Sequence, residues 1–379
     1  MNPFEDHNIE RTVGISRKRG GQAMAPSPDF FGHYLVAIAG AEPVKRVEIA
    51  AAPVTIGRDT RQTLVFDDTA VSRMHARVSL VNGAVTVEDL KSTNGTFVDG
   101  TRITGPVTLR EGQVLRVGSQ FLTYERRSRR DIDRADELER DLRKASSYVL
   151  SLLPEPLTGG DVRAEWRFVP STQLGGDAFG YYWLDPRTFV FYLVDVSGHG
   201  AGSAMHSVTV LNVLRQRALP DVDFRNPASV LSSLNARFQM DGHGGLFFTM
   251  WYGVYEVSDR RLRYASAGHH PAYLVPPDRN AVRPLGTPAL MIGALPECEY
   301  RVQEAIVPLD SVLYLFSDGV FEISTKDDQR WDLPRFLPLL IEPAVPGVPE
   351  TERLHRAVAE AAGTERLEDD FSLMVMTFP

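Results

Sequence analysis

The chain has 379 residues, 43% of them hydrophobic, and a formal net charge of −8. That length supports two ordinary domains with separate cores. The acidity argues against nonspecific nucleic-acid binding, the single cysteine, Cys298, excludes a disulfide framework or a cysteine-based metal site, and no apolar run reaches the ~18 residues that would read as a membrane span. The N-terminus has no apolar signal-peptide core and carries Arg17, Lys18 and Arg19 instead. A cytoplasmic location is the expectation.

Residues 1–30 are polar, with Gly20-Gly21, Pro26 and Pro28, and read as a mobile tail. Residues 31–126 carry short alternating segments, among them Tyr34–Ile38, Val54–Ile56, Ala76–Leu80, Ala84–Val87 and Phe121–Tyr124. Turn pairs such as Asn82-Gly83, Asp99-Gly100 and Glu111-Gly112 separate them. Many short strands at this spacing predict an all-β sandwich.

The period changes over residues 127–156. Ala135, Leu138, Leu142, Ala145, Val149 and Leu152 recur at alternating spacings of three and four, a heptad seam. Asp136 with Arg140 and Glu139 with Arg143 are favourable helical pairs, and Pro154 and Pro156 end the helix. This linker is read either as packing on a neighbouring domain or as the seam of a parallel homodimer over residues 131–153.

Residues 157–379 mix strands and helices. Phe189–Asp195 reads as a buried strand running into a Gly-rich turn, and Val312–Phe316 as a strand ending in Ser317-Asp318-Gly319. Helices are expected over Ala204–Leu219 and Ala228–Phe238, a hairpin over Phe247–Tyr255 and Leu262–Ala267, and a last strand over Ser372–Met376. Strands interleaved with helices predict a layered α/β sandwich.

Three stretches of the β-rich part carry chemistry. They are Ile56-Gly57-Arg58, Val71-Ser72-Arg73-Met74-His75-Ala76, and Asp89 through Val98 with Ser92-Thr93-Asn94-Gly95 at the centre. Arg58 offers a planar cation for paired bonds to a phosphate, Ser72 offers a hydroxyl, and the Asn94 amide can pair with an extended peptide backbone. This ordered series resembles a forkhead-associated (FHA) domain over about residues 34–124. The resemblance implies a phosphothreonine-binding site lined by Arg58, Ser72, Arg73, Thr93 and Asn94, with His75 as an internal brace, and a partner bearing phosphothreonine.

The C-terminal part presents acids beside small residues: Gly175-Gly176-Asp177, Asp195-Val196-Ser197-Gly198-His199, Ser317-Asp318-Gly319, and Glu368-Asp369-Asp370. Aspartates on separate loops can converge on hard cations, and adjacent glycines let a backbone carbonyl approach as well. The series resembles the protein phosphatase 2C (PPM) family, in its bacterial SpoIIE-like branch, over about residues 150–379. It implies an αββα-layered metal-dependent serine/threonine phosphatase with two Mn²⁺ or Mg²⁺ ions that activate a water. Asp177, Asp195, Asp318 and Asp369 would be the ligands, joined by the Val196 carbonyl, with Asp370 an alternative to Asp369. The branch also implies a phosphoprotein substrate such as an anti-sigma factor antagonist. His199 and His269 are given structural or hydrogen-bonding roles. One departure stands out: where the branch usually has a second acid three residues after Asp177, this chain has Gly180. The rival reading is a weak or inactive phosphatase-like scaffold that binds phosphothreonine partners.

Overall fold

In a computed structural model of the chain, residues 31–38, 46–242, 244–326 and 329–379 are described. The expected tail, 1–30, lies outside them. The chain divides into two compact units, one ending at Leu138 and the other beginning at Glu139.

The first unit is built from two sheets. One is six-stranded and places Phe31–Ala37 beside Gln120–Ser128; the other is five-stranded around the hairpin Ala76–Val81 and Ala84–Asp89. That hairpin closes on Asn82 and Gly83, with φ of 52° and 78°. Two positive φ angles in a two-residue loop match the right-handed twist of the strands, and Asn-Gly tolerates them. Alternation sorts the side chains: Leu122 and Tyr124 are buried while Phe121 faces out. Leu35, Ile56, Val78, Val87, Leu115 and Leu122 belong to one core.

Helix α1 runs from Arg129 to Leu152. Its predicted seam is divided. Leu142 and Val149 pack with Leu174, Ala204 and Val208 of the second unit, whereas Leu138 keeps 61% of its surface exposed and Ala135 and Ala145 are exposed as well. Part of the apolar stripe is thus used within the chain.

The second unit holds two five-stranded sheets. In the first, Thr188–Val196 lies between Asp177–Asp185 and Phe248–Glu256; in the second, Phe371–Phe378 lies between Arg163–Val169 and Ser311–Phe316. Phe179, Phe191 and Trp251 of the first sheet share a core with Leu313, Met374 and Met376 of the second. Burying each such large side chain contributes roughly 1.5–3 kcal/mol. The Trp251 indole N–H donates to the Leu285 carbonyl at 2.7 Å, so its polar edge is satisfied. Helices α2 (Ala201–Arg215) and α3 (Pro227–Arg237) share a second core with Ala178, Tyr192 and Val194. A third core joins α4 (Leu333–Phe336) and α5 (Glu350–Ala362) to Phe316, Phe371 and Val375. Helix α2 begins three residues earlier than the sequence indicates and ends four earlier, at Arg215. Helices α4 and α5 were not anticipated.

This register settles where Gly180 points. Asp177 pairs with Asp195 and Gly180 with Tyr192 in a regular antiparallel ladder. Odd-numbered Phe179 and Tyr181 face the inter-sheet core, and even-numbered Ala178 and Tyr182 face the helices. Gly180 therefore lies on the opposite face from Asp177, and a Cβ there would meet the Tyr192 ring about its hydroxyl at 2.5–2.6 Å.

Candidate functional sites

In the β unit, Arg58, Ser72, Arg73, Thr93 and Asn94 sit on loops that are tied to one another. The Arg58 N–H donates to the Ser72 carbonyl at 3.0 Å, and the Asp59 N–H to that of Arg73 at 3.2 Å. Gly57 is required here, because a Cβ would collide with the Arg73 carbonyl. The Thr93 N–H donates to Ser72 Oγ at 3.0 Å, and Asn94 Nδ2 donates to the Ala70 carbonyl at 2.8 Å. That leaves the Asn94 carbonyl oxygen available. Arg58, Arg73, Thr93 and Asn94 are exposed, and neither arginine forms an ion pair among the described residues.

Buried His75 braces these loops. Its Nδ1 accepts from the Ser72 N–H at 3.1 Å and its Nε2 donates to the Gly95 carbonyl at 3.2 Å, so the partners assign the neutral Nε2–H tautomer. Asp89 holds the third stretch from below. Burial pushes its carboxyl up, but the Ser92 and Thr96 hydroxyls, at 2.5 and 2.6 Å, hold it below its usual value.

The acids of the second unit come together at one end of the two sheets. Asp177 starts its strand and pairs with Asp195 near the end of the next, while Asp318 follows Phe316 and Asp369 precedes Phe371. Asp318 opens a 3₁₀ turn whose Phe321 and Glu322 N–H groups donate back to its carbonyl at 2.9 and 2.7 Å. Glycines allow the crowding. A Cβ on Gly176 would lie 2.9 Å from the Val196 carbonyl, and one on Gly319 would collide with the Asp370 carbonyl.

The electrostatics are those of confined like charges. Burial, then Asp195 and Asp370, pushes Asp177 well above the carboxylate range, with the Ser317 and Ser372 hydroxyls opposing. Burial, then Asp318, Asp369 and Asp370, raises Asp195 to about 7. Burial, then Asp369 and Glu322, raises Asp318 to about 6. Asp369 is raised by burial and by Asp370, while His199 acts in the opposite sense. Asp177 Oδ2 is buried without a hydrogen-bond partner.

The two adjacent acids separate clearly. Asp370 is 4% exposed, and its Oδ1 accepts from the Ser171 N–H and hydroxyl at 2.8 and 3.0 Å. Its Oδ2 accepts from the Gly176 N–H at 2.6 Å. Asp369 is exposed, with Oδ1 accepting from the Asp370 N–H at 2.8 Å. Asp370 is thus a brace beneath the cluster, and Asp369 carries the carboxylate free to serve at its surface. His199 is exposed beside the cluster. His269 is buried, its Nδ1 facing the His270 carbonyl at 2.8 Å, and burial holds its imidazole well below its usual value, hence neutral.

Hard oxygen donors, an unpaired buried carboxylate oxygen and mutual repulsion all fit divalent cations. Among the described residues no three His, Cys, Asp or Glu side chains gather around a single point; a hard cation here would complete its shell with backbone carbonyl and water oxygens. Sequence reasoning missed the Ser171 clasp on Asp370, and it missed Glu322 as a further acid beside Asp318 and Asp369. The signal for Glu322 was present in Asp318-Gly319-Val320-Phe321-Glu322, since a tight turn returns the fifth residue toward the first.

Comparisons with known proteins agree with both family resemblances. The family model "Stage II sporulation protein E (SpoIIE)" matches residues 185–379, and an FHA-domain model matches residues 54–118. Since the first match covers more than half of it, the chain belongs to the SpoIIE family of PP2C-type phosphatase domains, here with an FHA domain ahead. Phosphoserine phosphatase RsbP of Bacillus subtilis is 28% identical over 188 residues, 48% of this chain and 46% of that protein. FHA domain-containing protein FhaB of Mycobacterium tuberculosis is 41% identical over 85 residues, 22% of this chain and 55% of that protein. The chain thus spans about half the length of these curated relatives. The solved PP2C domain of SiaA from Pseudomonas aeruginosa has the same fold, with a TM-score of 0.55 at 21% identity over 65% of this chain and 98% of that one. No described helix is long and apolar enough to cross a membrane.

Proposed function

We propose that the chain is a cytoplasmic, metal-dependent serine/threonine protein phosphatase directed to its targets by an FHA domain that binds phosphothreonine. The observation that carries the reading is the cluster of Asp177, Asp195, Asp318 and Asp369, graded from buried Asp177 through half-buried Asp195 and Asp318 to exposed Asp369, whose like charges oppose one another. These four acids, with the Val196 carbonyl, would hold two Mn²⁺ or Mg²⁺ ions. Ions so held lower the pKa of a bound water and neutralise charge on the phosphoryl oxygens. The chain's own contribution is placement. The glycine segments bring backbone and carboxylates together, Asp370 fixes the loop before Asp177, and the inter-sheet core keeps water from the strands beneath.

RsbP and RsbU of Bacillus subtilis bear the name phosphoserine phosphatase. That supports a phosphoprotein monoester as substrate here, in bacterial signalling of the kind that controls anti-sigma factor antagonists. The FHA site would raise the local concentration of such substrates without a new contact at the acids. Leu138 and its exposed neighbours on α1 would supply a homodimer contact over residues 131–153.

The test is phosphate release from a phosphopeptide with Mn²⁺, with and without EDTA, beside Asp318→Asn. Metal-dependent release lost in the variant supports the enzyme. No release, even with Mn²⁺, favours the scaffold reading instead, and release undiminished by EDTA or in the variant overturns the metal-dependent mechanism.

A further inference from the structure

A phosphate monoester reaches this site as a dianion. Among the described residues, the charged groups that act most strongly on Asp177, Asp195, Asp318 and Asp369 are other acids and His199. Even with cations held by the acids, the substrate must first enter past a negatively charged rim.

A guanidinium is paired with one of these acids, Glu322. Glu322 lies one tight turn beyond Asp318, its N–H 2.7 Å from the Asp318 carbonyl. Its carboxylate is near enough to act on both Asp318 and Asp369. The short hairpin Ile323–Ser324 and Arg330–Trp331 then folds back, and Arg330 Nη2 donates to Glu322 Oε2 at 2.8 Å. The two side chains are 73% and 48% exposed. An exposed pair of this kind is worth little. It occupies one of the five guanidinium N–H groups, whereas a phosphate accepts a paired fork.

We infer that Arg330 is a substrate-positioning residue, held ready by Glu322, which exchanges that carboxylate for the phosphate oxygens of the incoming phosphoester. The inference rests on the phosphatase reading above and goes beyond it by assigning a residue outside the acid cluster. Arg330 would hold the phosphate before and during reaction alike, so its loss appears in KM rather than in kcat.

The experiment measures steady-state kinetics of the full chain with Mn²⁺, on p-nitrophenyl phosphate and on a phosphoserine peptide. Arg330→Ala should raise KM about tenfold for both substrates and leave kcat within about twofold, as expected for one charge-assisted contact. Arg330→Lys should recover part of the loss. Unchanged KM values overturn the inference, and so does a rise confined to the peptide, which would mean that Arg330 reads polypeptide rather than phosphate. If the parent chain releases no phosphate at all, the phosphatase reading fails and the inference with it. If the parent is active and Arg330→Ala matches it, only the inference fails.

Discussion

The two sites of this chain are opposite in kind. The FHA loops are complete as folded: Ser72, Thr93, Asn94 and His75 already hold one another, and the exposed Arg58 and Arg73 face solvent. The acid cluster is incomplete by construction. Its carboxylates are crowded against like charges, and buried Asp177 Oδ2 has no hydrogen-bond partner. A reader of phosphate gains from rigidity, since little is then spent on ordering at binding. A site for cations needs charge that nothing in the chain cancels. The cost of concentrating that charge falls on the stability of the second unit.

The largest expected effect separates the two sites outright. Asp318→Asn should lower phosphate release on the order of a hundredfold or more, while phosphothreonine-peptide affinity, measured by calorimetry, stays unchanged. Loss of both would mean that the sites are not independent. The reciprocal variant is next. Arg58→Ala should weaken phosphothreonine-peptide binding by roughly 10- to 100-fold, the range for a lost charge-assisted pair, and leave p-nitrophenyl phosphate turnover as it was. Full peptide affinity in that variant would sink the anchoring role.

A third prediction concerns the cost of confinement. Asp195 is raised from 3.8 to about 7 and Asp318 to about 6. A carboxyl raised on folding contributes stability that is fully present below its unfolded value and lost as pH rises through its folded value. The metal-free chain should therefore lose thermal stability between about pH 4 and 7, by on the order of a few kcal/mol. Added Mn²⁺ should raise Tm more at about pH 8 than at about pH 5. Equal shifts at the two pH values would count against the cluster as the ion site. The smallest effect is on α1. Leu138→Glu should change stability by no more than ~0.5 kcal/mol, as an exposed position allows, yet convert a dimer to a monomer in light scattering. A parent chain already monomeric at high concentration would remove the dimer.

The sequence was most legible where one residue type had one use. Asn82-Gly83 marked a hairpin because few other pairs accept two positive φ angles. Glycine next to aspartate marked the strand ends that carry the acids. Asp369 and Asp370 could not be told apart, because adjacent residues in a strand entry face opposite ways and the pattern around them does not say which way is in. The α1 stripe had a similar limit, since a heptad shows that a face is apolar but not what covers it. Helix α5 went unread although Leu354 and Val358 sit four apart and Gly363 closes it with a φ of 77°. Its charged residues, from Glu350 to Arg356, hid the narrow apolar side. The Glu322–Arg330 pair depends on a hairpin that no strand-length pattern announces.

Asp370 fastens Ser171 and Gly176 across separations of 199 and 194 residues. In the order of synthesis, the segment leading into Asp177 is made well before its clasp. Folding during translation can build the FHA domain and even the first sheet while the ribosome is still at work. The acid cluster cannot close until residue 370 has emerged. The FHA unit can therefore fold before the second unit has the clasp that closes its acid cluster.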